Sequence, residues 1–271
     1  MEQRRWPLRA IERRGRGAVV ERLRAAGCVF AEEEADLLLA ADVDPEQLAV
    51  MVERRVAGEP LEHVVGEAEF CGLRIVVSPG VFVPRPRSEF LVERAAGLVG
   101  SGSVVVDLCC GSGALGAALA VRRPGIELHA SDIDAQAVRC AADNLAAVGG
   151  VVHCGDLYVA LPARLRGRVD LVVANAPYIP TDAIGLLPPE ARDHEPRAAL
   201  DGGADGLDLH RGIAAESGQW LRAGGYLVIE TSAGQAAETA AIMTGCGLSA
   251  EIVGDDDLDA TVVVGRSRPV E

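Results

Sequence analysis

The sequence predicts an α/β chain: a mostly parallel sheet covered by helices on both faces, with a small helical segment ahead of it. Three observations predict it. From residue 103 onward, short apolar runs alternate with stretches of helical periodicity, the pattern of parallel strands joined by helical crossovers. The first of those runs ends in a glycine-rich turn, as a strand feeding a helix does. Residues 17–57 read as helical, which sets a first domain apart from the sheet.

Residues 1–62 read as the helical domain. Ala18-Val19-Val20, Leu23 and Ala26 recur at helical spacing, and the acids Glu32 to Glu34 precede Leu37 to Leu39 in a second helix. Asp44-Pro45 reads as an N-cap followed by proline at the first helical position, opening Glu46 to Val56. Residues 63–90 read as a segment whose β-hairpin links the two domains. Glu69 to Val77 and Val81 to Val83 are its expected strands, with Ser78-Pro79-Gly80 as the turn between them. Residues 91–271 read as the sheet domain. Its strands are expected at Val104–Val106, Glu127–Ala130, Val151–Val152, Leu171–Ala174, Tyr226–Ile229 and Val262–Val264. Helices are expected over Ala114–Val121 and Ala135–Ala147.

Composition narrows the function classes. A chain of 271 residues with 49% hydrophobic content buries a full core. Its net charge of -14 opposes a phosphate polyanion, so direct binding of nucleic acid is not expected. The exception is a basic run, Arg4, Arg5, Arg9, Arg13, Arg14 and Arg16, read as a solvated terminus. No segment reaches the ~18 apolar residues of a membrane span, and the first residues lack the apolar stretch of a secretory signal. The seven cysteines are scattered, without CxxC pairs or neighbouring histidines. They read as small buried hydrophobes in a reducing, cytoplasmic compartment, and no metal site is expected.

The chemistry lies at the ends of the strands. Asp107 to Gly116 contains Gly111-x-Gly113-x-x-Gly116, and Asp132 closes the next strand. Glycines for close approach and an acid about 20 residues on for a ribose hydroxyl suit several nucleoside cofactors. Asp107 separates them. A pyrophosphate on the helix N-terminus would be repelled by a carboxylate beside the loop, whereas S-adenosylmethionine brings an ammonium and a sulfonium that an acid attracts. Asp156 follows the third strand and either accepts from an adenine amino group or caps the next turn. Asn175-Ala176-Pro177-Tyr178 ends the fourth strand. An Asn oxygen and a neighbouring main-chain carbonyl can accept both N–H bonds of a planar NH₂ group, orienting a nitrogen whose lone pair is otherwise delocalised. Pro177 stiffens the turn, and Tyr178 offers an aromatic wall.

Four stretches carry a resemblance: Phe82 to Glu89, Asp107 to Gly113, Asn175 to Tyr178, and Glu195-Pro196 through Gly202 to Gly206. In this order, over roughly residues 60–265, the chain resembles the HemK/PrmC family of protein glutamine N5-methyltransferases. That resemblance implies a Rossmann-like class I S-adenosylmethionine-dependent fold, a helical substrate-docking domain and a linking β-hairpin. It implies S-adenosylhomocysteine as product and the Gly-Gly-Gln loop of a peptide-chain release factor as substrate. By position, Asn175 and the Ala176 carbonyl would hold the glutamine amide, with Pro177 and Tyr178 shaping its pocket. Gly111 and Gly113 would line the cofactor and Asp132 bind its ribose. Arg85 and Glu89 would belong to the closing loop, either touching substrate or bracing the lid as a buried pair. The sequence departs from the family at Ala176, where the usual motif has its first proline. It departs also at Cys109-Cys110 and at Arg87-Ser88, which replaces a common Glu-Thr. Other readings of the same tetrapeptide are an adenine N6-methyltransferase of nucleic acid, a small-molecule N-methyltransferase, and a cofactor-binding protein without activity.

Overall fold

The computed structural model describes residues 8–268, with side chains from residue 15 onward. Arg4 and Arg5, and the side chains of Arg9, Arg13 and Arg14, lie outside what is described. Of the basic run Arg16 alone is described, and it pairs with Asp36 at 2.5 Å on the surface.

The chain divides into two units. The first is residues 1–66 together with Pro188–His194. It holds α1 (Leu8–Ala25), α2 (Ala31–Ala40), α3 (Pro45–Val56) and α4 (Leu61–Val65). Leu23, Ala35, Leu38, Val52 and Val64 form its core. Asp44 begins α3 as its side chain accepts from the N–H groups of Glu46 and Gln47, while Gln47 returns a bond to the Asp44 N–H. Within this core Arg55 is buried. It is held by Glu34 at 2.6 Å and by Glu190 at 2.6 Å, which offsets the cost of removing its charge from water.

The second unit opens with β1 (Glu67–Phe70) and β2 (Leu73–Val76), paired antiparallel from Glu67↔Val76 to Phe70↔Leu73. Its turn is Cys71-Gly72, both at positive φ (52° and 74°), as a two-residue hairpin turn requires. The hairpin therefore closes seven residues earlier than Ser78-Pro79-Gly80 suggested. That tripeptide does turn, with the Val81 N–H bonded to the Ser78 carbonyl. Val81 and Val83 that follow are buried loop residues rather than a strand.

Next comes α5 (Glu89–Ala96), then a seven-stranded sheet. Its strands are β3 (Val104–Leu108), β4 (Glu127–Asp132), β5 (Val151–Cys154), β6 (Val169–Ala174), β7 (Leu221–Thr231), β8 (Leu248–Asp255) and β9 (Ala260–Ser267). Their spatial order is β5-β4-β3-β6-β7-β9-β8. The first five are parallel, and β9 runs antiparallel to both β7 and β8. Between them lie α6 (Ala114–Arg122), α7 (Ala135–Leu145), α8 (Pro189–His194, counted with the first unit), α9 (Asp208–Trp220) and α10 (Ala236–Gly245). β3 is buried at every residue, as a central parallel strand covered on both faces must be. Val105, Leu171, Val173 and Val228 pack on one face; Val106, Val172, Leu227 and Ile229 pack on the other. The chain runs outward from β3 to β5 and then returns to β6 on the other flank of β3. The carboxyl ends of β3 and β6 therefore flank a crevice, where ligands of open α/β sheets bind.

Candidate active site

A cavity of about 610 Å³ fills that crevice. The loop after β3 contributes Cys109, Gly111 and Ser112; the end of β4 contributes Asp132 and Ile133; the turn after β5 contributes Asp156 and Leu157. Asn175 and Pro177 enter from β6, and Ser88 from the loop ahead of α5.

At the β3 end, backbone geometry does most of the shaping. Asp132 binds the loop through both carboxylate oxygens: Oδ2 accepts from the Gly111 N–H at 2.9 Å and Oδ1 from the Asp134 N–H at 2.9 Å. Burial raises its carboxyl above the ordinary range. Each of those oxygens keeps a further lone pair for a ribose hydroxyl. Cys109 and Leu157, at φ 55° and 42°, hold left-handed conformations that side chains rarely adopt, and both line the cavity. Backbone strain of this kind collects where a structure holds a ligand. Ile133 lines the same region while 66% exposed, an apolar surface suited to a flat ring. Of these, Ile133, Cys109 and Ser112 had no sequence signal beyond adjacency to Asp132 and Gly111.

Asp107 and Gly113 sit elsewhere than expected. Asp107 is wholly buried behind the loop, does not line the cavity, and accepts the Gly116 N–H at 3.0 Å. Its Oδ1 has no hydrogen-bond partner, and burial pushes its carboxyl up to about 7. Gly113 begins α6 at φ 78°, and a Cβ there would lie 3.1 Å from that of Ala141. Its glycine therefore serves the packing of α6 on α7 rather than the ligand.

The acid–cation question has an answer in the lining itself. Asp132, Asp134, Asp156, Asp201 and Asp208 all face the cavity, and no arginine among the described residues does; the chain has no lysine. Such a cavity repels a pyrophosphate and attracts a cationic nucleoside, so the residues present fit S-adenosylmethionine.

At the β6 end, side chains do the holding. Asn175 donates from Nδ2 to the Ser88 hydroxyl at 3.1 Å, so its Oδ1 is the oxygen left to accept. Ala176 is buried among Leu108, Val172 and Ile229. Pro177 lines the cavity, but Tyr178 does not. The Tyr178 hydroxyl accepts from Arg87 at 2.8 Å and donates to Glu230 at 3.5 Å, and burial pushes it up to about 12. Instead of facing the ligand as a wall, Tyr178 anchors the end of the motif. Past it, Ile179 bridges to Asp201, and the Gly202 N–H returns to the Ile179 carbonyl. A Cβ on Gly202 would come within 2.7 Å of the Pro177 carbonyl, so only glycine admits this approach.

Arg85 and Glu89 do not pair, and neither lines the cavity. Arg85 binds the buried Glu195 at 2.5 Å, and Glu195 also accepts from the Val83 N–H at 3.3 Å. Glu89 instead accepts from the Cys71 N–H at 2.8 Å and ties α5 to the hairpin turn. Arg85 thus takes Glu195, not Glu89, as its acid. Among the described residues no cluster of His, Cys, Asp or Glu could hold a metal ion, and no helix is long and apolar enough to cross a membrane.

Residues 72–185 match the family Methyltransferase small domain. A methyltransferase from Pyrococcus furiosus shares the fold, with a TM-score of 0.56 at 15% identity over 82% of this chain and 98% of that one. Sheet order and crevice are those of that fold, and two longer sequence matches make the class a methyltransferase. The release factor glutamine methyltransferase of Streptomyces coelicolor is 43% identical over 208 residues, 75% of this chain and 73% of that protein. That of Mycolicibacterium smegmatis is 40% identical over 227 residues, 82% and 80% of the two chains. The chain belongs to the release factor glutamine methyltransferase family.

Proposed function

We propose that the protein methylates the N5 nitrogen of a glutamine side chain, in the Gly-Gly-Gln loop of a peptide-chain release factor, with S-adenosylmethionine as donor. The observation that carries the reading is Asn175 in the cavity with Nδ2 bound to Ser88. Its Oδ1 is thereby left to accept an N–H of the incoming amide, while the Ala176 carbonyl accepts the other. Gly111, Asp132, Asp156 and Leu157 would hold the cofactor, with Asp107 supporting their loop from behind. When bound, S-adenosylmethionine supplies a methyl group carried on a sulfonium. The chain's own part is orientation. Two acceptors fix the plane of the amide and draw both N–H bonds away from the approaching methyl, concentrating electron density on nitrogen. The proton displaced from nitrogen leaves to water or to a neighbouring carbonyl. No group of this mechanism calls for a metal. Arg85 supports the reading through Glu195, by shaping the loop that carries Phe82 and Pro84 into the cavity. The helical residues 1–62 are assigned substrate docking on the family resemblance.

The acidic lining also disfavours a nucleic-acid acceptor, since a flipped base arrives with its phosphates. Purified protein with labelled S-adenosylmethionine, offered release factor, DNA or small amides in turn, tests the reading. Label on the release-factor glutamine, lost in Asn175→Ala, is the expected result; label on DNA or a small molecule alone would overturn the substrate.

A further inference from the structure

The stretch Gly202 to Gly206 carries part of the resemblance, yet the mechanism above gives it no work. Gly202 and Gly203 line the cavity beside Asp201. Both ends of the stretch press on the tetrapeptide. A Cβ on Gly206 would lie 2.3 Å from the Tyr178 carbonyl oxygen, as one on Gly202 would lie 2.7 Å from that of Pro177. Gln235, just ahead of α10, joins the two segments. Its Nε2 donates to the Tyr178 carbonyl at 3.0 Å and to the Asp205 carbonyl at 3.1 Å. Its Oε1 accepts from the Ser232 hydroxyl at 2.7 Å. Gly206 leaves the room for this contact, since a Cβ there would also lie 2.5 Å from the Gln235 Nε2.

These partners leave the amide one orientation. A carbonyl oxygen only accepts, so two of them meeting one terminal atom require it to be the nitrogen, and the hydroxyl then meets the oxygen. Without that nitrogen, two carbonyl oxygens would face each other with no donor between them. We propose that Gln235 is a positioning residue for the acceptor pocket, stapling the last carbonyl of Asn175-Ala176-Pro177-Tyr178 to the Gly202–Gly206 loop. The Ala176 carbonyl, assigned above to the substrate amide, lies two residues before that staple, with Pro177 between them as a stiff link. A shift of the Tyr178 carbonyl is therefore passed back to the Ala176 carbonyl and across to the Gly202 wall. The inference rests on the glutamine-methylating reading for its substrate but not for its geometry.

Gln235→Glu keeps the shape and tests the donor. Ionised, a carboxylate only accepts and loses both carbonyls; protonated, it regains one O–H donor. Release factor serves as acceptor, with active sites counted by cofactor titration so that misfolded protein is left out. At pH 8, kcat is expected about tenfold below wild type in both Gln235→Glu and Gln235→Ala. Toward pH 5, its ratio to wild type is expected to recover at least about threefold in Gln235→Glu and to stay flat in Gln235→Ala. A merely structural role would give both variants the same profile. Cofactor Kd should be unchanged in both, because Asp132 and the loop after β3 hold that end of the cavity. Wild-type kcat in Gln235→Glu at pH 8, a ratio that does not change with pH, or a cofactor Kd that weakens along with kcat would overturn the proposal. Should the wild type label a small amide and not release factor, the substrate reading alone fails, and the same ratios measured with that amide decide the role of Gln235.

Discussion

The two ends of the cavity are built by opposite means. At the β3 end the loop holds itself: Asp107 reaches Gly116 nine residues on, and Asp132 reaches Gly111 and Asp134. At the β6 end, Asn175 to Tyr178 is held by Ser88, Arg87 and Glu230, which arrive from segments 52 to 91 residues away. The first arrangement is local backbone geometry, so its parts should fail as folding defects. The second is a set of directed hydrogen bonds, so its parts should fail as catalytic defects in a folded protein.

The sharpest break between them is expected from Asn175→Ala. Removing the only side-chain acceptor proposed for the amide is expected to lower kcat/KM about 1,000-fold, roughly 4 kcal/mol of transition-state stabilisation. Cofactor affinity and melting temperature should hardly move. Steady-state methylation beside calorimetric titration of the cofactor checks this, and a parallel loss of cofactor binding would erase the distinction between the ends.

Asp107 gives the converse. Its carboxyl titrates at about 7 in the fold against an ordinary 3.8, so the folded protein keeps a proton that the unfolded chain has released. Its contribution is thus fully present below pH ~4 and is lost as pH rises through about 7. At about 1.4 kcal/mol per unit the loss is on the order of 4 kcal/mol. Asp107→Asn keeps an acceptor for Gly116 without a charge. Urea unfolding of both proteins at pH 5 and pH 8 should show a drop for the wild type that the variant escapes; equal slopes would mean Asp107 is ionised throughout.

This contrast also explains what the sequence could and could not tell. Asp107, Gly111 and Asp132 were legible because they lie at strand ends within one βαβ unit, where spacing carries meaning. Their individual duties were not, since a carboxylate that caps a helix N–H from behind looks the same in sequence as one facing a ligand. Glu195 and Glu230 were invisible as partners of Arg85 and Arg87. The pairs are separated by 110 and 143 residues, and no periodicity records such a meeting. The hairpin turn was misplaced because Ser78-Pro79-Gly80 is a stronger turn sequence than Cys71-Gly72. The apolar-x-apolar run at Val81 to Val83 imitates a strand, although Glu195 rather than a neighbouring strand takes the Val83 N–H. The unread helices α9 and α10 pack on the sheet, whose order supplies the context that their own composition lacks.

Gly113→Ala tests the local end at smaller scale. A methyl 3.1 Å from the Ala141 Cβ, at φ 78°, meets both a clash and an unfavourable backbone. About 2 kcal/mol of stability should be lost, with kcat at saturating cofactor nearly intact. A large fall in kcat with no loss of stability would assign Gly113 to the ligand after all.

The smallest effect is expected at Ala176, where the family motif has proline. Proline's ring would fix φ, but here other contacts already constrain the chain. Ala176 is 1% exposed within the core of one sheet face, and the chain beyond it is clamped by the Ile179–Leu200 and Gly202–Ile179 hydrogen bonds. If that packing replaces the ring, Ala176→Pro should change kcat less than about threefold and add at most ~1 kcal/mol of stability. Ala176→Gly, which removes the buried methyl and frees the backbone, should cost more in both. Comparing kcat for the two variants decides it. A tenfold gain in Ala176→Pro would show that the carbonyl at 176 is loosely held, and that directed hydrogen bonds at the β6 end do not by themselves set the acceptor geometry.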